Sequence, residues 1–329
     1  MKLAFFDTKS YDIPGFDRYG IPAGVEIKYF EANLNRDTAA LAAGFDAVCV
    51  FVNDTVDAVV VDKLCQLGVK AIVLRCAGFN NVDIKACEGK LRVFRVPAYS
   101  PHAVAEHAMA LLLTINRRTH KAYIRTRDFN FSLQGLAGFD LYGKTVGIVG
   151  TGKIGRVFAD ICKGFGMKIL AYDKFPNPDA GLDYVDLPEL FAQADIISLH
   201  CPLTDETHHL INADTIAMMK KGVTIINTSR GALVDTEALI NGIKEKKVGA
   251  ACLDVYEEEG DFFYEDFSGH IVQDDKLVRL IAMPNVIVTS HQAFLTSEAL
   301  DNIAATTVNN LTRFFSGDPD TSTEVVYHK

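Results

Sequence analysis

No stretch of the 329-residue sequence approaches the roughly twenty consecutive apolar residues that a transmembrane helix needs. The apolar run at the N-terminus meets Asp7 too early to serve as the hydrophobic region of a secretory signal peptide. The chain also has no block of basic residues, and its formal net charge is −9. We therefore expect neither nucleic acid nor a membrane as a partner, and a small-molecule substrate is favoured.

Cysteine patterns that would indicate disulfides or zinc are missing as well. The seven cysteines are odd in number, mostly lie in apolar runs, and include no pair with zinc-ribbon spacing. Buried, reduced thiols fit this usage better than a disulfide framework does. We therefore predict a cytoplasmic protein without a structural metal. Internal repeats and low-complexity tracts are absent too, and 329 residues suggest two domains of ordinary size.

What the sequence does contain is a glycine-rich turn between an apolar strand and an amphipathic helix. Residues 145–149 are largely β-branched or apolar, and the run GTGKIG follows at once. Gly150 permits the tight turn, Gly152 allows a backbone to approach a pyrophosphate, and Gly155 lets helix and strand pack closely. The helix N-terminus then offers free N–H groups to the anion. An ordinary glycine turn in an α/β domain is the alternative.

An acidic residue selects between the two forms of the dinucleotide. A second strand, residues 168–172, ends in Asp173, about twenty residues beyond the glycine turn. A carboxylate at this place can accept hydrogen bonds from a ribose 2′-hydroxyl but repels a 2′-phosphate. We therefore predict NAD as the cofactor in preference to NADP. Lys174 either points into solvent or softens this discrimination.

The strand and helix patterns predict two α/β units. Strands are expected at 3–6, 25–30, 47–52, 71–74, 93–96, 145–149, 168–172, 195–199, 223–227, 248–253 and 286–289, with early helices at 37–43 and 56–67. This alternation predicts two mostly parallel, doubly wound sheets. A last helix, about 297–315, comes after the nucleotide sheet is complete. We predict a Rossmann NAD domain (100–296) inserted into a flavodoxin-like substrate domain (1–99 plus 297–329).

A long helix is predicted from about His102 to Arg125, with Ser100 as its N-cap and Pro101 at its first position. Apolar residues cover nearly every face of its first half, which predicts full burial. The two domains of one chain could bury this helix, and a second copy of the chain could do so equally well. We therefore predict a homo-oligomer, a dimer or a tetramer, that uses the helix at 101–120.

Part of this helix resembles a pair of metal ligands. His102 and Glu106 lie one helical turn apart, and His107 follows. Because no third ligand stands in the pattern, we expect a role on the helix surface or at an interface.

Polar residues follow four predicted strands of the nucleotide unit. They are His200, the run Thr228-Ser229-Arg230, Asp254 and the pair Ser290-His291. Since the carboxyl ends of parallel strands meet at the ligand crevice, we expect these side chains to converge. Taken singly, Ser229 could cap a helix, Asp254 could belong to a turn, and His200 could be a core histidine.

Further motifs point to a known family. They are FVND at 51–54, RCAGFNNVD at 75–83, VPAYSP at 96–101, HCPLT at 200–204, NTSRGA at 227–232, DVYE at 254–257 and SHQAF at 290–294. With them the chain resembles the D-isomer-specific 2-hydroxyacid dehydrogenases, and within these the fermentative D-lactate dehydrogenase branch. The likeness spans residues 75 to 300 and is weaker before.

The resemblance implies NAD-dependent, reversible reduction of pyruvate to D-lactate, with Arg230, Glu259 and His291 as catalytic residues. The reaction needs a hydride on C2 and a proton on the oxygen, and His291 suits proton transfer near neutral pH. Arg230 offers a permanently charged donor fork for the carboxylate and the carbonyl. Residues 257–259 are three consecutive glutamates, so the residues alone leave the histidine's partner open. The family spacing from Asp254 selects Glu259.

The resemblance also implies two sets of binding residues. For the cofactor they are Gly150, Gly152, Lys153, Ile154, Gly155, Asp173, Cys201, Pro202, Thr207, Thr228, Ser229, Arg230 and Asp254. For the substrate they are Cys76, Ala77, Gly78, Phe79, Tyr99, Arg230, His291, Phe51 and Phe294. Phe51 and Phe294 would wall a pocket fit for a methyl group, although each aromatic residue could equally be plain core.

Other activities stay open at this point. Glyoxylate, hydroxypyruvate, a branched 2-oxo acid and 3-phosphoglycerate are alternative substrates, the last of which should need basic residues beyond Arg75 and Arg230. Formate dehydrogenases of this fold lack the carboxylate–histidine pair and fit poorly. A non-catalytic NAD-sensing scaffold is the alternative of another class. Residues 260–273 are too aromatic for a simple loop and could cover the site or an interface.

Overall fold

The chain forms two compact units. The computed structural model describes residues 1–327, apart from the side chain at position 261. One unit contains Met1–Ser100 and the segment from Phe294 onward, and the other contains Pro101–Ala293. The second unit is therefore inserted into the first.

The first unit is built on a parallel sheet. Its elements before the insertion are β1 (Lys2–Phe5), α1 (Ile13–Gly20), β2 (Glu26–Tyr29), β3 (Ala47–Val50), α2 (Ala58–Gln66), β4 (Ala71–Leu74), α3 (Ile84–Cys87) and β5 (Arg92–Phe94). The five strands lie in the order β2-β1-β3-β4-β5. β3 and β4 are buried along their whole length, which is why they read as continuous apolar runs. The helix predicted over 37–43 is a short 3₁₀ turn, Ala39–Ala42.

The second unit contains a larger parallel sheet. Its elements are α4 (Pro101–Arg117), α5 (Thr119–Arg127), β6 (Thr145–Val149), α6 (Lys153–Gly164), β7 (Lys168–Tyr172), β8 (Asp183–Tyr184), α7 (Leu187–Gln193), β9 (Ile196–Leu199), α8 (Ala213–Met218), β10 (Val223–Asn227), α9 (Thr236–Lys244), β11 (Val248–Leu253), α10 (Asp275–Ala282) and β12 (Val286–Val288). The seven strands lie in the order β12-β11-β10-β9-β6-β7-β8. Every strand pair in both sheets is parallel. The predicted fold class is confirmed.

The last helix, α11 (Ser297–Phe315), belongs to the first unit and begins and ends at the predicted residues. The hydroxyl of Thr296 accepts the N–H of Ala299 at 3.2 Å and caps its N-terminus. The helix packs against α1 and β4, so residues far apart in the sequence close one core.

The long helix predicted over 102–125 is two helices. Arg118 has a φ of +52°, which is left-handed backbone, and it ends α4 and precedes α5. The apolar residues of α4 are largely buried against α6, β10, β11 and β12 of the same unit. Of the two ways to bury this helix that the sequence left open, the structure shows that its own unit covers much of it, and the homo-oligomer stays a prediction.

A buried arginine and three buried aspartates lie close together in the first unit. Arg75 is 2% exposed, and Asp7, Asp12 and Asp54 are also buried. The guanidinium of Arg75 donates to the main-chain oxygen of Asp7 at 2.5 Å, and its Nε lies 3.5 Å from the Asp12 carboxylate. Asp54 accepts the main-chain N–H of Phe51 at 2.5 Å. Because buried charges are costly unless paired, this cluster makes the first unit sensitive to the protonation of its acids.

One acid of this cluster should make stability depend on pH. Burial raises the pKa of Asp54 to about 7, although Arg75 and two main-chain N–H groups oppose the rise. Since an unfolded aspartate titrates near about 3.9, the folded chain keeps a proton between about pH 4 and pH 7 that the unfolded chain has released. The stability from this group is fully present below about pH 4 and is lost as the pH rises through about 7. We predict that the free energy of unfolding falls less between about pH 5 and pH 8 for Asp54→Asn, which cannot ionise, than for the parent. Urea titrations at several pH values measure this fall.

Asp62→Asn is the matched control, since Asp62 is exposed on α2. It should follow the pH dependence of the parent. If Asp54→Asn follows it as well, Asp54 does not titrate in this range and the prediction is wrong.

Candidate active site

The carboxyl ends of neighbouring strands in the second sheet carry the predicted polar residues. β6, β9, β10 and β11 lead into Gly150, His200, Thr228 and Asp254, and β12 leads into the turn at 289–293. In the strand order, β6 lies between β7 and β9, so the direction of winding reverses next to β6. Doubly wound sheets bind their ligands at such a switch point.

The glycine turn has the geometry that a pyrophosphate requires. Gly150 has a φ of +95°, and a Cβ there would lie 2.6 Å from the main chain of His200. A Cβ at Gly155 would lie 2.0 Å from the main-chain oxygen of Gly150, so only glycine lets α6 pack this closely on β6. A Cβ at Gly152 would have no atom of the described chain within 4 Å. No side chain caps the N-terminus of α6, whose first residue is Lys153. Open backbone at a helix N-terminus suits an anion.

A cleft of about 560 Å³ lies beside the glycine turn. The predicted cofactor residues that line it are Gly150, Gly152, Asp173, Cys201, Pro202 and Thr207. Its volume and its mostly apolar lining with a few polar side chains, next to open main-chain N–H groups, fit the adenosine half of a dinucleotide.

Asp173 is fixed on the wall of this cleft. Its Oδ2 accepts the main-chain N–H of Thr151 at 2.6 Å and the hydroxyl of Thr151 at 3.1 Å. Its Oδ1 accepts the N–H of Phe175 at 2.9 Å. Lys174 forms an ion pair with Glu206, another residue of the cleft lining. The side chain of Lys174 is thus engaged across the cleft, an arrangement that the sequence did not indicate.

The segment after β10 holds Arg230 in place. The Nδ2 of Asn227 donates to the main-chain oxygen of Arg230 at 2.8 Å, and an Arg230 Nη1 donates to the oxygen of Ser229 at 2.7 Å. A Cβ at Gly231 would lie 2.0 Å from the main-chain oxygen of Tyr256. The glycine after the arginine is therefore required by the close approach of the segment that follows β11.

Asp254 is fully buried and holds the turn after β12. Its Oδ1 accepts the N–H of Gln292 at 3.0 Å, and its Oδ2 accepts the N–H of Ala293 at 2.8 Å. Its main-chain oxygen accepts the N–H of His291 at 2.7 Å. These bonds fix a turn in which His291 has left-handed backbone, with a φ of +52°. Such backbone is uncommon in a residue other than glycine and persists where the surroundings enforce it.

A carboxylate lies against the ring of His291. Nδ1 of His291 and Oε1 of Glu259 are 2.7 Å apart, and both side chains are half-buried. The other oxygen of Glu259 accepts the main-chain N–H of Tyr256 at 2.8 Å. Because Nδ1 is engaged with Glu259, Nε2 is the ring nitrogen left to exchange a proton with a ligand.

The other two glutamates of the run have different surroundings. Glu257 contacts His209 through Oε1 and accepts the hydroxyl of Thr236 at 2.9 Å through Oε2. Glu258 is exposed. The ligand atoms of His208, His209 and Glu257 lie within 4.8 Å of one another, which is the one such cluster among the described residues. The absence of a metal stays a prediction.

The match to a family model settles the family. The model for the NAD-binding domain of the D-isomer specific 2-hydroxyacid dehydrogenases matches residues 109–293. This chain belongs to that family. The predicted family and the prediction of NAD as cofactor are confirmed by this match.

Relatives of this dehydrogenase cover nearly its full length. It is 52% identical to an Escherichia coli protein named D-lactate dehydrogenase, over 97% of this chain and 98% of that one. A Haemophilus influenzae protein named 2-hydroxyacid dehydrogenase homolog is also 52% identical, over 96% of this chain and 97% of that one. The solved apo-structure of the Escherichia coli D-lactate dehydrogenase matches with a TM-score of 0.91 and 49% identity, over 99% and 100% of the two chains. The pyruvate reductase of Chlamydomonas reinhardtii matches with a TM-score of 0.93 and 44% identity, over 97% of each.

The predicted substrate residues of this dehydrogenase that precede residue 100 lie in its first unit with Phe294. The ring of Phe294 packs against Phe51 and Tyr99, with centroids 6.0 and 6.3 Å apart. The loop at 76–79 directly follows β4 and its buried Arg75. The structure thus groups Phe51 and Phe294, which the resemblance implied as a pocket wall, with the predicted substrate residue Tyr99.

Two residues near His291 were missed by the sequence analysis. Tyr264 donates its hydroxyl to the main-chain oxygen of His291 at 3.0 Å, so part of the stretch 260–273 covers the histidine turn. Thr289 donates its hydroxyl to Oδ1 of Asp254 at 2.6 Å. Thr289 stands at the end of a predicted strand, which was an available signal, whereas nothing in the aromatic stretch singles out Tyr264.

No helix within residues 1–327 of this dehydrogenase is long and apolar enough to cross a membrane.

The choice between NADH and NADPH should depend on Asp173. Its carboxylate is fixed on the cleft wall, where a 2′-phosphate would meet like charge. We predict that Asp173→Asn lowers the ratio of the NADPH to the NADH dissociation constant by about tenfold or more, since a tenfold change corresponds to about 1.4 kcal/mol. Fluorescence titration of both nucleotides measures the ratio without relying on turnover.

Asp205→Asn is the matched control, because Asp205 lines the same cleft without being fixed by the glycine turn. It removes the same charge and should leave the ratio nearly unchanged. Equal effects of the two substitutions would mean that general charge, and not the position of Asp173, sets the preference.

Proposed function

We propose that this chain is an NAD-dependent D-lactate dehydrogenase that reduces pyruvate reversibly to D-lactate. The observation that carries the proposal is the contact between His291 and Glu259, 2.7 Å apart at the carboxyl edge of the NAD-binding sheet. Among relatives of matching length, an Escherichia coli protein with 52% identity is named D-lactate dehydrogenase. We also propose a cytoplasmic location, which the free cysteines of the described chain support.

His291 is the acid/base in this proposal. Bound NADH supplies the hydride. Glu259 engages Nδ1, so the proton that reaches the substrate's carbonyl oxygen leaves from Nε2 of His291. In the reverse direction the same nitrogen accepts the proton of the hydroxyl. The negative charge of Glu259 stabilises the imidazolium and orients the ring.

Arg230 binds and polarises the substrate. Its guanidinium is planar and permanently charged, and its fork geometry matches a carboxylate. One Nη donates to the main-chain oxygen of Ser229, which fixes the plane of the fork. We assign its other N–H groups to the carboxylate and the carbonyl oxygen of the 2-oxo acid.

The first unit is the substrate domain in this proposal, and the second is the cofactor domain. The main-chain N–H groups of Cys76, Ala77, Gly78 and Phe79 would bind the substrate carboxylate. The aromatic group Phe51, Tyr99 and Phe294 would enclose the methyl group of pyruvate, and the ring contacts among them support this role.

The function is tested by NADH oxidation with a panel of 2-oxo acids. We predict the highest kcat/KM with pyruvate, against glyoxylate, hydroxypyruvate and 2-oxoisocaproate, and D-lactate as the product on chiral analysis. A polar or branched side chain on the substrate gains little binding energy in a small apolar pocket. One methylene group changes the ratio of kcat/KM values between two substrates by about tenfold or more. If another 2-oxo acid leads by tenfold, the pocket assignment is wrong although the family stands.

His291→Ala is the control that separates an enzyme from a non-catalytic NAD-binding scaffold. Loss of general acid catalysis should lower kcat by roughly 10²–10⁴-fold, with NADH still bound. A parent chain that binds NADH but turns over no member of the panel would favour the scaffold.

The chain also has a surface that suits a second copy. Since α4 is largely buried by its own unit, we propose the segment at 123–142 as the interface in place of the helix at 101–120. Its exposed apolar residues include Tyr123, Phe129, Phe131, Leu133 and Tyr142, of which Phe129 is 83% and Leu133 is 82% exposed. Exposed apolar side chains that are clustered in one segment of a protein surface mark an interaction site. We propose that this segment forms a homo-oligomer interface.

We predict that the double substitution Phe131→Glu and Leu133→Glu lowers the mass of the particle to that of a monomer, because charged side chains resist burial in an apolar interface. Light scattering coupled to gel filtration measures the mass. Ile271→Glu is the matched control, since Ile271 is 89% exposed outside the segment. A parent chain that is already monomeric, or a double variant that keeps the parent's mass, would contradict the proposed interface.

A further inference from the structure

A histidine of α4 contacts the group that holds the His291 turn. Nε2 of His107 lies 3.2 Å from Oδ1 of Asp254 and 3.2 Å from the hydroxyl of Thr289. The side chain of His107 is 18% exposed, whereas Asp254 is fully buried. His107 therefore reaches inward from a helix to a buried carboxylate, and the proposed function gives it no role.

No lysine or arginine of the described residues contacts Asp254, so the partners of its carboxylate are neutral donors and His107. The donors to its carboxylate are the hydroxyl of Thr289 at 2.6 Å, the N–H of Gln292 at 3.0 Å and the N–H of Ala293 at 2.8 Å. All three of these groups donate, so the carboxylate acts toward them only as an acceptor. A buried carboxylate is costly unless its acceptors are satisfied.

The hydrogen bonds fix where His107 carries its proton. Thr289 has a single hydroxyl hydrogen, and it donates that hydrogen to Asp254. The oxygen of Thr289 and Oδ1 of Asp254 are then both acceptors toward His107. Nε2 of His107 must therefore carry a hydrogen and donate it to this pair.

We propose that His107 is a positioning residue for the catalytic step. Its Nε2–H holds Asp254 and Thr289, and these two hold the turn that presents His291. The inference rests on the proposed function, in which His291 transfers the proton. His107 contacts neither His291 nor Glu259 in the described structure and acts only through Asp254 and Thr289.

The strained turn explains why such support is needed. His291 has a φ of +52°, and backbone of this kind is unfavourable in a non-glycine residue. The turn keeps this conformation because Asp254 binds it through its main chain and both carboxylate oxygens. If Asp254 shifts, the ring of His291 shifts with it, and small displacements of a proton donor lower the rate strongly.

The test compares three variants of the full-length chain. His107→Ala removes the donor, His107→Gln keeps an N–H donor on a side chain of similar reach, and His102→Ala changes an exposed histidine of the same helix. We expect His107→Ala to lower kcat for pyruvate reduction by about tenfold or more. His107→Gln should recover most of this loss, and His102→Ala should match the parent. The dissociation constant of NADH, measured by fluorescence, should stay within about twofold in all of them.

A second variant guards against loss of folding. Thr289→Val removes the hydroxyl without a change of shape, and it should lower kcat in the same way if the network positions the turn. In the double variant with His107→Ala the two losses should not multiply, because both act through Asp254.

The outcomes separate this inference from the proposed function. If the parent reduces pyruvate and His107→Ala keeps its kcat, the positioning role is wrong and the function stands. If His107→Gln fails to recover activity while NADH binding is also lost, His107 is only structural and the inference is overturned. If the parent reduces no 2-oxo acid, the function fails and the inference fails with it.

Discussion

The geometry of the candidate active site depends on the buried carboxylate of Asp254. It follows β11, and its hydrogen bonds reach the turn after β12 and the helix α4. A parallel sheet fixes its strands in register but leaves the segments beyond their carboxyl ends free to differ. A buried carboxylate must accept hydrogen bonds from the groups that surround it. The hydrogen bonds that satisfy the buried carboxylate of Asp254 therefore also fix the position of His291.

Features determined by local sterics could be predicted from the sequence. The strand, the glycine turn and the helix after it follow from residue types alone, and Gly150 and Gly155 are where a Cβ would overlap the main chain. The helix Ser297–Phe315 was also predicted at the bounds that the structure shows. Two parallel sheets follow from the alternation of such strands and helices.

Features determined by contacts between distant segments could not be predicted. Residue types alone do not distinguish the three consecutive glutamates, and only the family spacing selected Glu259. In the structure Glu257 pairs with His209, while Glu259 pairs with His291. The direction of the chain after β11 decides between them, and no residue type encodes it. The left-handed residue Arg118, which divides the predicted long helix, is likewise not a residue that sequence rules associate with a break.

Burial separates the two kinds of acid in this site. Asp254 is fully buried and its oxygens are occupied by donors, so it serves as a fixed hydrogen-bond acceptor. The side chains of His291 and Glu259 keep 20% and 25% of their exposure. A residue that gives up a proton in each cycle must regain one, which requires access to solvent, whereas a residue that only holds a turn is better isolated from it. The fold therefore buries Asp254, which holds the turn, and leaves His291 and Glu259, the proposed reacting pair, partly exposed.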